Sequence, residues 1–136
     1  MKPNRKRSII FTIAMVLYLA VVGYLLFANF EKLSSVPKIF LGIPTDKVVH
    51  FCMFFPFPIL AYLAYDKYTD TPLKAFAALL SICAIGAIFA GLTEIGQSLL
   101  PYRYEDISDF RADCLAIGIA GTLTFIIDVV KMRRAS

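Results

Sequence analysis

The stretch "DISDFRADCLAIGIAGTLTFIIDVV", Asp106–Val130, decides the fold. Its body, from about Ala112, is apolar and long enough to cross a bilayer, which takes about 20 mostly apolar residues. Its entrance is crowded with Asp106, Asp109, Arg111 and Asp113. A charged residue near the centre of a membrane helix costs about 2.5–3.5 kcal/mol on insertion scales, and less near the interface. Acids facing lipid here would be costly. Facing polar groups on neighbouring helices, they can be neutralised and hydrogen-bonded.

The rest of the chain supplies those neighbours. The 136 residues are 59% hydrophobic with a mean hydropathy of +0.71, more apolar surface than a soluble domain of this length can hide. Four runs are long enough to span: about Ser8–Asn29, Lys47–Tyr65, Leu73–Leu92 and Ala112–Val130. The first has a basic start and could pass for a signal peptide. A cleaved apolar region is shorter, about 7–15 residues, and ends at a small-x-small site; this run leads instead into "FANFEKL". It reads as an uncleaved anchor. The sequence therefore predicts an all-α integral membrane protein, a single domain over residues 1–136 folded as a four-transmembrane-helix bundle. Its partner is the lipid bilayer; oligomeric state is not encoded legibly.

Charge placement sets the expected orientation. Nine of the 14 basic residues fall in the N-terminal tail, the connection between spans two and three, and the C-terminal tail. By the positive-inside rule, both termini are expected to be cytoplasmic. The net charge of +4 is explained by these topology signals and calls for no nucleic acid. The acids divide the other way. Seven of ten, Glu31, Asp46, Glu94, Glu105, Asp106, Asp109 and Asp113, lie at the opposite end, most within the first or last turn of a span.

Spacing gathers them. In "TDKVVHF", Asp46 and His50 are four apart and share a helix face beside Lys47. In "GLTEIGQ", Glu94 and Gln97 are three apart. Asp106, Asp109 and Asp113 follow spacings of three and four, with Arg103 ahead of them. Three helix ends thus bring polar groups to one membrane level, which predicts a cleft at the outer side. Small-residue stripes suggest which helices meet there: Ala84, Ala87 and Gly91 leading to Glu94, and Ala116, Ala120 and Thr124 following Asp113, with Gly118 and Gly121 beside them. Pro56 and Pro58 predict a kink in span two, amid Phe51, Phe54, Phe55 and Phe57, which read as packing. Tyr62, Tyr65 and Tyr68 read as one interfacial belt, Tyr102 and Tyr104 as the other. Cys52, Cys83 and Cys114 lack metal-ligand spacing and read as small packing residues, although Cys52 and Cys114 fall at similar depth.

"DKVVHF", then "EIGQ", then "PYR" followed by "DFRAD", in this order and with these spans between them, resembles the VanZ-like family of small bacterial membrane proteins. The resemblance runs from about Asp46 to Gly121 and rests on Asp46, Lys47, His50, Phe51, Glu94, Gln97, Arg103 and Asp109. It departs at Asp113, where the family usually has Asn, and at Ala116, where it often has Gly. The resemblance implies a bacterial cytoplasmic membrane and envelope physiology. The founding member is linked to reduced teicoplanin susceptibility.

Three readings of the cluster stay open. As a binding site, Asp46, Lys47, His50, Glu94, Gln97, Arg103, Asp109 and Asp113 would line a pocket for a lipid headgroup, a cell-wall precursor or a lipoglycopeptide, the acids holding an amine and Arg103 a phosphate or carboxylate. As a membrane-embedded enzyme acting on a lipid-linked substrate, the candidate catalytic residues are His50, Glu94 and Asp109. The same His and carboxylate set suits a divalent metal, although no metal-binding signature such as HExxH is present. As structure alone, the acids would cap helix N-termini; Glu94, which reads as lying at a helix C-terminus, fits that least.

Overall fold

The computed structural model describes residues 5–28, 37–65, 69–103 and 106–135. Five helices carry the architecture: α1 (Arg5–Phe27), α2 (Thr45–Phe54), α3 (Pro56–Tyr65), α4 (Pro72–Ser98) and α5 (Ile107–Ala135). A two-stranded hairpin, β1 (Ile39–Phe40) and β2 (Ile43–Pro44), precedes α2. Together α2 and α3 make one broken span, so four helical segments are long and apolar enough to cross a membrane. Their outer faces suit lipid. Ile10, Leu17, Tyr24, Ile88, Leu92 and Leu115 are each more than half exposed, a surface water would not tolerate in such quantity.

Hydrogen bonds between segments fix which ends lie together. The Ser8 hydroxyl donates to the Ala64 carbonyl, tying the start of α1 to the end of α3. Tyr62 donates to Asp128 at 2.7 Å, tying that same end to the last turns of α5. At the opposite end, the Gln97 amide donates to the Leu26 carbonyl at 2.9 Å, and the Tyr102 hydroxyl to the Phe27 carbonyl at 2.9 Å. The bundle therefore runs up and down. The start of α1 and the end of α5 share one end, and the α2 and α5 N-termini share the other. Asp66, Lys67, Tyr68, Tyr104, Glu31 and Glu105, and the tail residue Lys2, lie outside the described residues. Tyr62 departs from its expected place in an interfacial belt: it is 2% exposed, because Asp128 gives its hydroxyl a partner inside the bundle. Tyr65 is exposed, as an interfacial side chain would be.

The break in span two falls at Phe55, between α2 and α3. Pro56 and Pro58 lack the N–H groups that would reach back one turn, and each ring crowds the preceding carbonyl. One carbonyl in this stretch is taken from outside the helix: the Tyr18 hydroxyl of α1 donates to the Met53 oxygen. The phenylalanines pack as expected, Phe54 and Phe57 both meeting Phe89 of α4 at ring-centroid distances of 5.6 and 6.0 Å. The hairpin was not anticipated. Its turn sets Leu41 at φ 51° and Gly42 at φ 80°, the two consecutive positive values of a type I′ connection. Glycine adopts this freely and leucine does not, which is why "LG" gave no clear turn signal.

Helix α4 packs most extensively against α5, as the small-residue stripes suggested, but α4 is rotated from the expected face. Its buried ridge runs Ala78, Ile82, Gly86, Ala90 and Glu94, every fourth residue, with Thr93 and Gln97 alongside. Ala84 is exposed, and Ala87 and Gly91 are only half-buried. An i±4 row is the commonest ridge for helix packing, and from Glu94 it leads back through Ala90 rather than Gly91. On α5 the expected Asp113, Ala116, Ala120 and Gly121 are buried, with Thr124 half-buried. All three cysteines are free.

Gly86 is a tight point in the bundle, where α3, α4 and α5 meet. A Cβ there would meet the Phe57 ring at 2.9 Å and Ile117 Cδ1 at 3.0 Å. Gly118 has nothing within 4 Å. Gly86→Ala is expected to destabilise the purified protein by roughly 1–3 kcal/mol through overpacking. Gly118→Ala should be neutral or slightly stabilising, by up to about 1 kcal/mol, from helix propensity alone. Unfolding of both variants in the same detergent checks the contrast.

Candidate functional site

Both helices that deliver the acids are longer than their apolar runs. Helix α4 continues to Ser98 and α5 begins at Ile107, so Glu94 stands a full turn inside its helix rather than at its C-terminus. Asp106 caps α5: its Oδ1 accepts from the Ser108 N–H at 2.8 Å, the geometry favoured for an acid at this position. Asp109 and Asp113 then follow at one and two turns, on the face turned toward α2.

The site has two tiers. The outer tier is centred on the Lys47 ammonium, which lies 2.7 Å from Asp106 Oδ2, 3.0 Å from Asp109 Oδ1 and 3.4 Å from Asp46 Oδ2. Asp46 and Asp106 are open to solvent, with side chains 52% and 42% exposed, whereas that of Asp109 is 12% exposed. Asp106 lies outside the apolar spans. Its hydrogen bond from Lys47, reinforced by the Ser108 N–H, holds its carboxyl down at about 2.

The inner tier is centred on His50 and is closed. His50 is 2% exposed, Glu94 6%, Asp109 8% and Asp113 0%. The Nδ1 atom of His50 faces both oxygens of Asp113, at 3.1 and 3.3 Å. Glu94 Oε1 stands 3.6 Å from the same nitrogen, beyond hydrogen-bond range. The other ring nitrogen, Nε2, faces Asp109 Oδ2 at 3.8 Å. Asp109 thereby joins the tiers, one oxygen on Lys47 and the other toward His50. Among the described residues Glu94 Oε1 is buried with no hydrogen-bond partner, which ordinarily costs about 1–3 kcal/mol or more for a charged group.

Of the residues singled out in the sequence, Asp46, Lys47, His50, Glu94, Asp109 and Asp113 come together. Asp106, expected on the same stripe, joins them as a cap. Gln97 and Arg103 do not join. The Gln97 amide is spent on the Leu26 carbonyl, holding α1 to α4. Arg103 is half-buried and makes no ion pair among the described residues. It stands three residues before Asp106, so their Cα atoms are within about 11 Å. Two sets of ligand-type atoms lie within 4.8 Å of one another: His50, Glu94 and Asp109 in the inner tier, and Asp46, Asp106 and Asp109 in the outer one. Lys47 already fills the outer set. Neither of two apolar depressions found on the bundle touches the cluster. One, of about 490 Å³, is lined by Cys114, Gly118 and Thr122, and the other, of about 320 Å³, by Phe55, Ala120 and Thr124.

Fold and cluster together define a multi-pass helical membrane protein with a buried histidine–carboxylate centre at one end. No protein-family model, curated protein or solved structure matches the chain.

Two expectations follow. Replacing the orphaned carboxylate, Glu94→Met, should stabilise the ligand-free protein by about 1–3 kcal/mol, since it removes an unsatisfied buried group; chemical unfolding in detergent measures this. The second concerns acid. Because Asp106 titrates lower in the folded protein than when unfolded, its contribution is complete above the unfolded value near 3.9 and is lost as pH falls through about 2. Lys47→Met should therefore lower the melting temperature at neutral pH, and the gap from wild type should narrow as pH drops from about 5 to about 2.

Proposed function

We propose that the chain is a membrane protein of the bacterial envelope that recognises an amine-bearing envelope component at the acid-rich end of the bundle, and that this end is extracytoplasmic. The observation that carries the reading is the cage of Asp46, Asp106 and Asp109 around the Lys47 ammonium. It is a set of acceptors already fitted to a primary amine, open on its Asp46 and Asp106 sides. Arg103, which makes no ion pair among the described residues and lies within about 11 Å of Asp106, suits the phosphate of a zwitterionic headgroup. A lipid headgroup or a lipid-linked cell-wall precursor has this pairing of amine and phosphate; a lipoglycopeptide offers the amine. The resemblance to the VanZ-like family supports an envelope role and a connection to glycopeptide susceptibility. The orientation rests on the positive-inside rule, since the basic residues gather at the opposite end.

A membrane-embedded hydrolase or transferase is the second reading. What favours it is His50, a ring held by Asp113 on one nitrogen and facing Asp109 with the other, an arrangement suited to proton transfer.

Lipid that co-purifies with the protein tests the first reading. Nanodiscs of equal parts phosphatidylethanolamine and phosphatidylglycerol should yield a bound fraction enriched in the amine lipid. The enrichment should fall in Asp46→Asn/Asp106→Asn and be absent with an N-acetylated headgroup. Equal retention of both lipids by wild type would count against amine recognition.

A further inference from the structure

The geometry points to a divalent transition-metal site in the inner tier, with His50, Glu94 and Asp109 as ligands and Asp113 as the residue that orients His50. It stands independently of which envelope component the outer tier holds.

Three observations carry it. The first is the donor set. One imidazole nitrogen and two carboxylate oxygens from three different segments have ligand atoms within 4.8 Å of one another, and all three residues are buried. Donors around a tetrahedral ion with bonds of about 2.0–2.1 Å sit about 3.3 Å apart. The 3.8 Å between His50 Nε2 and Asp109 Oδ2 closes to that value with a small side-chain rotation. An imidazole with carboxylates favours zinc, manganese or iron over magnesium or calcium, which take oxygen.

The second is the orphaned oxygen. Glu94 is 94% buried by its 6% exposure, and its Oε1 has no hydrogen-bond partner among the described residues. It stands 3.6 Å from His50 Nδ1, at the edge of the ring. A cation between Oε1, His50 and Asp109 would satisfy it.

The third is the surrounding shell. Asp113 engages Nδ1, which fixes the tautomer with the lone pair on Nε2, the atom that faces Asp109. A carboxylate behind a ligating histidine is the usual outer partner in metal sites. Lys47 holds Asp109 Oδ1, leaving Oδ2 for the interior. Three buried carboxyl side chains, Glu94, Asp109 and Asp113, surround the one imidazole, a set whose charge a dication would offset. Three protein ligands would leave a coordination position for water or for a ligand's oxygen, as in catalytic zinc sites.

The test uses the full chain in detergent, stripped with chelator and dialysed, then titrated with Zn²⁺ and with Mn²⁺. Wild type should bind one ion per chain by elemental analysis. Zinc-edge absorption of the loaded wild type should give a nitrogen/oxygen shell at about 2.0–2.1 Å with imidazole scattering and no sulfur. Glu94→Gln should weaken zinc binding by more than Asp113→Asn, and Asp113→Asn by roughly 10- to 100-fold; Asp70→Asn, on the Lys74 ion pair at the opposite end of the bundle, should leave it unchanged. Absence of stoichiometric binding by wild type overturns the proposal. So does sulfur in the shell, which would place the ion on cysteine, or unchanged affinity in a folded Glu94→Gln. If that variant does not fold, the absorption spectrum of wild type decides alone. Lipid enrichment measured on the chelator-stripped protein is read separately, so failure of the metal site and failure of amine recognition are distinct results.

Discussion

The contact on which this molecule turns is that between His50 and Asp113, an imidazole and a carboxylate that meet at 3.1 Å with almost no exposure. An ionisable group in an apolar span has no water to fall back on and must find its partner on another helix. Here the partners come from α2 and α5, and Glu94 of α4 is drawn to the same point. That requirement orders the bundle. Helix α4 turns its Gly86–Ala90–Glu94 ridge inward, α5 presents Asp113 with Ala116 and Ala120 beneath it, and the break at Phe55 lets α2 and α3 follow different lines on either side.

The two tiers solve the same electrostatic problem in different ways. At the rim, Lys47 bridges Asp46, Asp106 and Asp109, and the first two remain partly in water, where their charge costs little. Deeper in, the carboxylates outnumber the bases and one oxygen of Glu94 is left without a bond. Burying an unsatisfied group is a liability that packing alone would remove, and an isosteric apolar residue would do better for stability. Such strain at a single point, in a helix whose other buried positions are well packed, is the pattern expected where a chain gives up stability to bind something.

Much of this was legible in the sequence. Span number, the proline break and the meeting of Asp46, Lys47, His50, Glu94, Asp109 and Asp113 follow from hydropathy and from spacings of three and four. The rest depends on rotation and on long-range partners. Glu94 looked like a helix end because the apolar run stops near Leu92, whereas the helix runs on to Ser98; hydropathy marks the lipid boundary and not the last hydrogen-bonded turn. Gly91 and Ala90 are both small, so composition did not say which one is fully buried in the ridge. Gln97 shares a face with Glu94, but only the approach of α1 shows that its amide is committed to Leu26. Tyr62 resembled an interfacial tyrosine until Asp128, 66 residues away, gave its hydroxyl a partner on α5.

A double-mutant cycle between His50 and Asp113 reads the governing contact most directly. Unfolding free energies of wild type, His50→Ala, Asp113→Ala and the double variant, taken in one membrane mimetic, should give a favourable coupling of roughly 0.5–3 kcal/mol. Additivity of the two substitutions to within about 0.3–0.5 kcal/mol would mean that the two side chains do not meet, and the buried centre would have no basis.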